Sequence, residues 1–506
     1  MMELISAGFA SILNPYCLLL IFLGVLLGIV FGAIPGLSAT MAIALCLPLT
    51  YGMAPNAGIS MLMGLYIGGI SGGLVSAILL RIPGTASSVA TCFDGHPLAA
   101  KGEAGKALGV GIFYSFLGTI FGLFALMGIA PSLSRAALKF HTYEYFSIGV
   151  FSISLMCVLV KGSTIKGLAV GFLGMSFAMV GTAPIDGLPR LTFGNHALDA
   201  GFDILPVLIG VFAVTEILDT AEKSRLLEQE QATQNFKIKG LGFTFKEFVS
   251  QIWNGLRSAV IGTAIGILPG IGGGTANIIS YTVAKNSSKD PDKFGTGVID
   301  GIVASETANN ATIGGALIPL LTLGIPGDTV TAMLLGALMI QGLAPGPLLF
   351  DKHGVFVYGI FAACLLAAII MIVVMYGGIR VFARILKIPK YILLPIVFVL
   401  CAVGAFGLNS RIFDVWCILL FGIIAYLLQK ANFSMVPIVL GFILENIIET
   451  NLRRGLMQSK AGMMPFFTRP ISMVFLVLAF VVIVISIVRE IKSGRRNRKN
   501  KEETPG

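Results

Sequence analysis

Charge is scarce in this chain. Only 12% of its 506 residues are Asp, Glu, Lys or Arg, about half the share usual in soluble domains, and no polar linker interrupts it at a length that would separate soluble domains. A soluble protein, single or multidomain, is excluded. Histidine is scarcer still: His96, His141, His196 and His353 are the only four, all at loop edges, so no Ser–His pair or histidine-rich metal constellation presents itself and an enzyme is not expected. The seven cysteines (Cys17, Cys46, Cys92, Cys157, Cys364, Cys401, Cys417) are odd in number and scattered, mostly within apolar runs. They offer neither a disulfide framework nor a zinc spacing. No cofactor or metal is expected beyond a coupling cation. The formal charge of +10 gathers in short loops and in the tail from Arg489 to Lys501, which is the positive-inside pattern of a membrane protein and not a nucleic-acid stripe.

What the chain has instead is apolar length. Hydrophobic residues make up 56% and mean hydropathy is +0.91, so the expected fold is an all-α polytopic membrane protein in the lipid bilayer with about 10–12 transmembrane helices, at roughly 20 apolar residues per crossing. The opening MMELISAGFASILNPYCLLL has no basic leader and runs past signal-peptide length, which predicts a first membrane helix that stays. Gly24, Gly28 and Gly32 recur at four-residue intervals, a face for close packing against another helix.

Four regions follow from the charge pattern. Residues 1–219 form a first membrane half and 220–250 a charged surface connection that includes Lys223, Arg225, Lys237 and Lys239. Residues 251–488 form a second membrane half and 489–506 a basic cytoplasmic tail. Four apolar segments separate Arg380, Arg384, Lys387 and Lys390 from that tail, which puts both basic groups on one side of the membrane. Asp94 to Lys106 and Lys285 to Gly297 read as polar loops, and the apolar runs from Ala107 to Leu218 as scaffold.

The two halves repeat each other. Gly28-x-x-x-Gly32-x-x-Pro35-Gly36 matches Gly262-x-x-x-Gly266-x-x-Pro269-Gly270 at an offset of 234 residues, and Ile82-Pro83-Gly84 matches Ile325-Pro326-Gly327 at an offset of 243. Proline removes a helical donor and glycine adds a flexible point, so Pro35, Gly36, Pro83, Gly84, Pro269, Gly270, Pro326 and Gly327 predict broken or re-entrant helices. A duplicated pair of breaks in an apolar chain points to a secondary transporter with its site at the repeat interface. Whether the repeats are parallel or inverted stays open at this point.

The stretch from Asp300 to Gly342 crowds Ser305, Glu306, Thr307, Asn309, Asn310, Thr312 and Asp328 between glycines. Hydrocarbon cannot hydrogen-bond these groups, so they must face protein, ion, substrate or water. Helix starts after the breaks favour a carboxylate. The candidate anion-binding residues are therefore Ser38, Thr40, Thr85, Ser87, Ser88, Asn309, Asn310, Thr329 and Thr331. Asn277, Ser305, Asn309 and Asp328 are the candidates for a cation. Each could instead tie helices together, and Asp328, which stands where the first repeat has Thr85, could simply cap its helix. Glu306 must face water or pair with a cation.

Three stretches carry a resemblance: GAIPGLSATMAIALCLPLTYGM (Gly32 to Met53), LLRIPGTASSVATCFDGHPLAAKGEAGKALG (Leu79 to Gly109) and DGIVASETANNATIGGALIPLLTLGIPGDTVTAMLLGALMIQG (Asp300 to Gly342). They resemble the large membrane subunit of the tripartite tricarboxylate transporters, over nearly the whole chain. The resemblance implies a multi-pass protein of the bacterial inner membrane that works with a small membrane subunit and a periplasmic solute-binding protein. It also implies secondary active, cation-coupled uptake of tricarboxylates or related organic anions. The neutral character of most buried oxygens favours sodium over a proton. The alternatives are an ion or small-solute channel, or a stand-alone organic-anion carrier.

Overall fold

The computed structural model describes residues 2–159, 163–230, 242–385 and 390–502, so Lys237, Lys239 and Lys387 lie outside the described residues. The chain is helical nearly throughout. Its first part comprises α1 (Met2–Ile12), α2 (Pro15–Ala33), α3 (Ala39–Thr50), α4 (Pro55–Leu80), α5 (Thr91–Leu98) and α6 (Ala104–Ala137). Then come α7 (Thr142–Leu159), α8 (Thr164–Ala178) and a small hairpin of β1 (Gly181–Thr182) with β2 (Pro189–Arg190). Next, α9 (Ile204–Leu208) passes through a π turn into α10 (Thr215–Glu230). The second repeat comprises α11 (Phe245–Ile267), α12 (Gly272–Asn286), α13 (Ile299–Leu323), α14 (Thr329–Ile340), α15 (Pro347–Lys352) and α16 (Gly354–Ile385). The chain closes with α17 (Lys390–Asn409), α18 (Ile412–Lys430), α19 (Val436–Gln458), α20 (Met464–Thr468) and α21 (Pro470–Glu502).

Among the described residues, seven segments are long and apolar enough to cross a bilayer: α2, α4, α5 with α6, α9 with α10, α16, α18 and α21. Shorter apolar helices, α3 and α14 among them, accompany these. The long α13 is not one of the seven, because its polar residues lower its hydropathy. The stretch read as a polar loop from Asp94 to Lys106 is helical, formed by α5, a π turn and the start of α6.

Residues 1–138 and 208–422 form one compact unit, and residues 139–207 and 423–506 another. The first unit contains both repeats. In each, a helix ends at an extended residue, Ile34 (ψ 116) or Leu268 (ψ 123). Two residues later a glycine with positive φ, Gly36 (+89) or Gly270 (+76), turns the chain back, a conformation that a Cβ would strain. A long helix follows and ends on a left-handed residue, Arg81 or Gly324, before the second break.

Within a repeat, the first helix runs alongside the long one in the same direction. Gly24 lies against Met61 and Leu65, and Gly28 against Leu65 and Gly69, while Gly64, Gly68 and Gly72 of α4 take the backbone of Ile21, Val25 and Ile29 in return. In the second repeat, Gly262 meets Ala308 and Gly266 meets Thr312.

Between repeats the long helices run in opposite directions. Tyr66 reaches Asp328, whose neighbour Gly327 packs on Ala316, whereas Ser71, further along α4, reaches Asn310, which is earlier along α13. The two repeats are therefore inverted relative to each other.

The second unit holds α7, α8, the β hairpin and α19 to α21. Glycine again sets the spacing, since Gly174 and Gly441 bring α8 against α19. Ser147 with Ser472 at 2.6 Å and Thr164 with Ser486 at 2.8 Å tie α7 and α8 to α21. Arg190 of the hairpin grips Glu449 of α19 with its two terminal guanidinium nitrogens, at 2.7 and 3.1 Å, and Arg453 of α19 holds both Glu449 and Asp186. The Arg453 guanidinium lowers the pKa of Asp186.

Candidate functional site

The four Pro-Gly breaks lie together. Within each repeat the breaks touch: Gly84 packs on the carbonyl of Gly32, Gly327 packs on that of Gly266, and the Gly270 N–H donates to the Gly327 carbonyl at 2.9 Å. Between repeats the short helices meet crosswise. Thr40 at the start of α3 contacts Thr329 at the start of α14, hydroxyl to hydroxyl at 2.9 Å. At the start of α12, Gly274 lies against the carbonyl of Ala86 and Gly273 against Ser87.

Most of the candidate side chains are engaged within the protein. Ser38 caps α3 by accepting from the Met41 N–H at 3.2 Å. Thr85, Ser87 and Ser88 bond among themselves, with Thr85 and Ser88 forming a capping box. Asp328 caps α14, accepting from the N–H and the hydroxyl of Thr331, each at 2.7 Å, and its other oxygen accepts from the Tyr66 hydroxyl at 2.7 Å. Asn310 accepts from Ser71 at 2.7 Å and donates to the Glu306 carbonyl at 3.0 Å. Asn277 accepts from the Ala90 N–H at 2.7 Å and donates to the Ser305 carbonyl at 3.2 Å, while the Ser305 hydroxyl donates to the Ile302 carbonyl at 3.1 Å.

Asn309 differs from these. It is fully buried, and neither atom of its amide makes a hydrogen bond of normal geometry, with the Glu306 carboxylate on its NH2 side. The amide points at the first turn of α12, where a methyl group added to Gly273 would stand 2.5 Å from Asn309 Oδ1 and 3.0 Å from Ser87 Cβ. An unpaired amide in such a place costs about 1–3 kcal/mol, and the N–H groups of the first helical turn have no intrahelical acceptor. With the amide flipped so that its NH2 faces the turn, these groups together suit an anion that brings its own oxygens.

One turn earlier on α13 is Glu306. It neither reaches water nor pairs with a cation among the described residues. Its carboxylate accepts from Thr91 at 2.5 Å and Ser115 at 2.9 Å, and from Asn310 at 3.4 Å. Thr91, Ser115, Ser71, Tyr66 and Gly273 did not stand out in the sequence. Nothing local marks them, because each acquires its place only when the two repeats cross.

The inverted repeats, the glycine-packed long helices and the broken short helices that start at one point define a polytopic membrane protein of the transporter type. Comparison with known proteins supplies the family. Residues 18–440 match the family described as "Tripartite tricarboxylate transporter TctA family", and the chain belongs to that family. It is 35% identical over 498 residues, 98% of each chain, to "Uncharacterized 52.8 kDa protein in TAR-I ttuC' 3'region" of Agrobacterium vitis. It is also 35% identical over 234 residues to "Uncharacterized protein in TAR-II ttuC' 3'region" of Agrobacterium vitis, over 46% of this chain and 97% of that one. No solved structure matches it.

Proposed function

We propose that this chain is the large permease subunit of a binding-protein-dependent tripartite transporter. It takes up tricarboxylates or related organic anions across the bacterial inner membrane, driven by a cation gradient. A periplasmic solute-binding protein delivers the anion and a small membrane subunit completes the assembly. The observation that carries the reading is the unpaired, buried amide of Asn309 at the point where the breaks of two inverted repeats meet, the arrangement in which transporters hold substrate between opposed repeats. Family membership supports the substrate class.

Sodium is the proposed coupling ion. Asn277, Ser305 and Asn309 supply neutral oxygens near one another, and Glu306 adds a buried carboxylate beside them with no cationic partner among the described residues. Uptake in proteoliposomes containing the chain and its partners, across a panel of di- and tricarboxylates, is expected to require an inward sodium gradient at fixed pH. Asn277→Ala and Asn309→Ala should raise the sodium concentration for half-maximal rate. Full uptake with only a proton gradient removes sodium from the proposal, and unitary currents from the purified chain would make it a channel.

A further inference from the structure

The two repeats differ from each other where they meet. At an offset of 243 residues, Thr85 corresponds to Asp328, Ser88 to Thr331, Ser87 to Val330, Tyr66 to Asn309 and Gly69 to Thr312. At an offset of 234, Ala39 corresponds to Gly273. The contacts obey the same exchange. Thr85 with Ser88 and Asp328 with Thr331 are both capping boxes. Ala39 packs on Gly69 as Gly273 packs on Thr312, and Thr40 meets Thr329 as Gly274 meets Ala86. The interface thus contains two equivalent places with different contents.

One place is closed from within. The Asp328 carboxylate sits there, capping the first turn of α14 through Thr331 and accepting from the Tyr66 hydroxyl of α4, each at 2.7 Å, and the residues that correspond to Gly273 and Ser87 are the apolar Ala39 and Val330. In the other place every substitution goes toward polarity and space. Asn309 replaces the longer Tyr66, Thr85 replaces Asp328, Ser87 replaces Val330 and Gly273 replaces Ala39. The Asn309 amide makes no hydrogen bond of normal geometry there, and the Glu306 carboxylate lies behind it, one turn earlier on α13.

We propose that the two places are a filled and an open version of one carboxylate seat. Asp328 permanently occupies the first, and a carboxylate of the transported anion occupies the second, against Asn309, Ser87 and the first turn of α12. The assignment rests on reading this convergence as the transport site. It adds that the anion is held on one side of the pseudo-twofold axis only. An amide flip turns the Asn309 NH2 toward the anion and its oxygen toward the sodium ion proposed beside Glu306, and the α12 N-terminus contributes free N–H groups and a partial positive charge.

Citrate binding to the purified full chain, measured by calorimetry at saturating sodium, provides one test. Asn309→Asp, which keeps the shape but adds like charge, and Gly273→Ala, whose methyl would crowd Asn309 and Ser87, should each weaken citrate at least tenfold. Binding equal to the parent in both variants overturns the assignment. The second test uses formate as the probe. Asp328→Thr copies the residue at position 85 and empties the filled seat, so in the Asn309→Asp background it should gain a thermal stabilisation by formate that Asn309→Asp alone lacks. A folded Asp328→Thr variant indifferent to formate also overturns it, and the citrate arm decides alone if that variant does not fold. Citrate binding by a parent protein that fails to transport would count against the transport reading and leave the seat in place, whereas a parent that binds no citrate would overturn both.

Discussion

Glu306 is a carboxylate with no exposure, held by Thr91, Ser115 and Asn310 with the Asn309 amide beside them, all neutral groups. Taking a carboxylate out of water costs several kcal/mol, and neutral hydrogen bonds return only part of it. A cation bound close by would supply the rest, which is why Glu306 joins Asn277 and Asn309 in the proposed sodium site. Glu306→Gln keeps the volume and removes the charge. It is expected to raise the sodium concentration for half-maximal uptake at least tenfold, equivalent to about 1.4 kcal/mol. Initial rates in proteoliposomes against sodium concentration check this, and an unchanged value would remove Glu306 from the site. The sequence alone indicated that Glu306 needs compensation. It did not indicate its source, because Thr91 and Ser115 lie 215 and 191 residues away and an isolated Thr or Ser in an apolar helix carries no signal. Asp94 is the same lesson in reverse. It reads as part of a polar loop, yet it is buried and accepts from the N–H groups of Gly295, Gly297 and Val298 at 2.8–3.0 Å. Backbone donors leave no mark in a sequence.

At the scale of helices, spacing was legible where it recurs and silent where partners are chosen. The four-residue glycine interval in α2 announced a packing face, and α4 carries the matching interval at Gly64, Gly68 and Gly72. That these two faces take each other, side by side and in the same direction, follows from two reversals, one at Gly36 and a second between α3 and α4. The closeness can be tested. A methyl at Gly28 would stand 2.6 Å from the Leu65 carbonyl oxygen and 2.8 Å from the Gly69 nitrogen, both backbone atoms, whereas a methyl at Gly128 in α6 meets nothing within 4 Å. Gly28→Ala should therefore destabilise the protein by about 1–3 kcal/mol, the usual cost of overpacking. Gly128→Ala should be neutral or stabilise by up to about 1 kcal/mol through helix propensity. Thermal unfolding of both variants in detergent measures the difference. Equal midpoints would mean that α2 and α4 part readily, and the close packing would then not define the fold.

For the molecule as a whole, the repeat offsets and the order of breaks were visible in the sequence, but the relative direction of the repeats was not, since a matching string reads the same in either orientation. Inversion matters to function because it lets one site be reached from either face when two opposed repeats rock against each other. It also frames the energetics of the proposed cargo. Moving a trivalent anion inward against about 100 mV, negative inside, costs roughly three times 2.3, or about 7 kcal/mol. Three monovalent cations cancel that electrical term without drawing anything from the potential, and a fourth makes the potential a driving force. A carrier that moves the fully ionised anion with sodium, and uses the potential, must therefore carry net positive charge inward on each cycle. Uptake of a tricarboxylate by proteoliposomes in a fixed sodium gradient is accordingly expected to accelerate when a potassium diffusion potential makes the interior negative. It should slow when the potential is reversed. A rate independent of the imposed potential would indicate an electroneutral cycle, either three cations per trivalent anion or protonation of the anion before it binds, and would set the cation number at the charge of the form that enters the site.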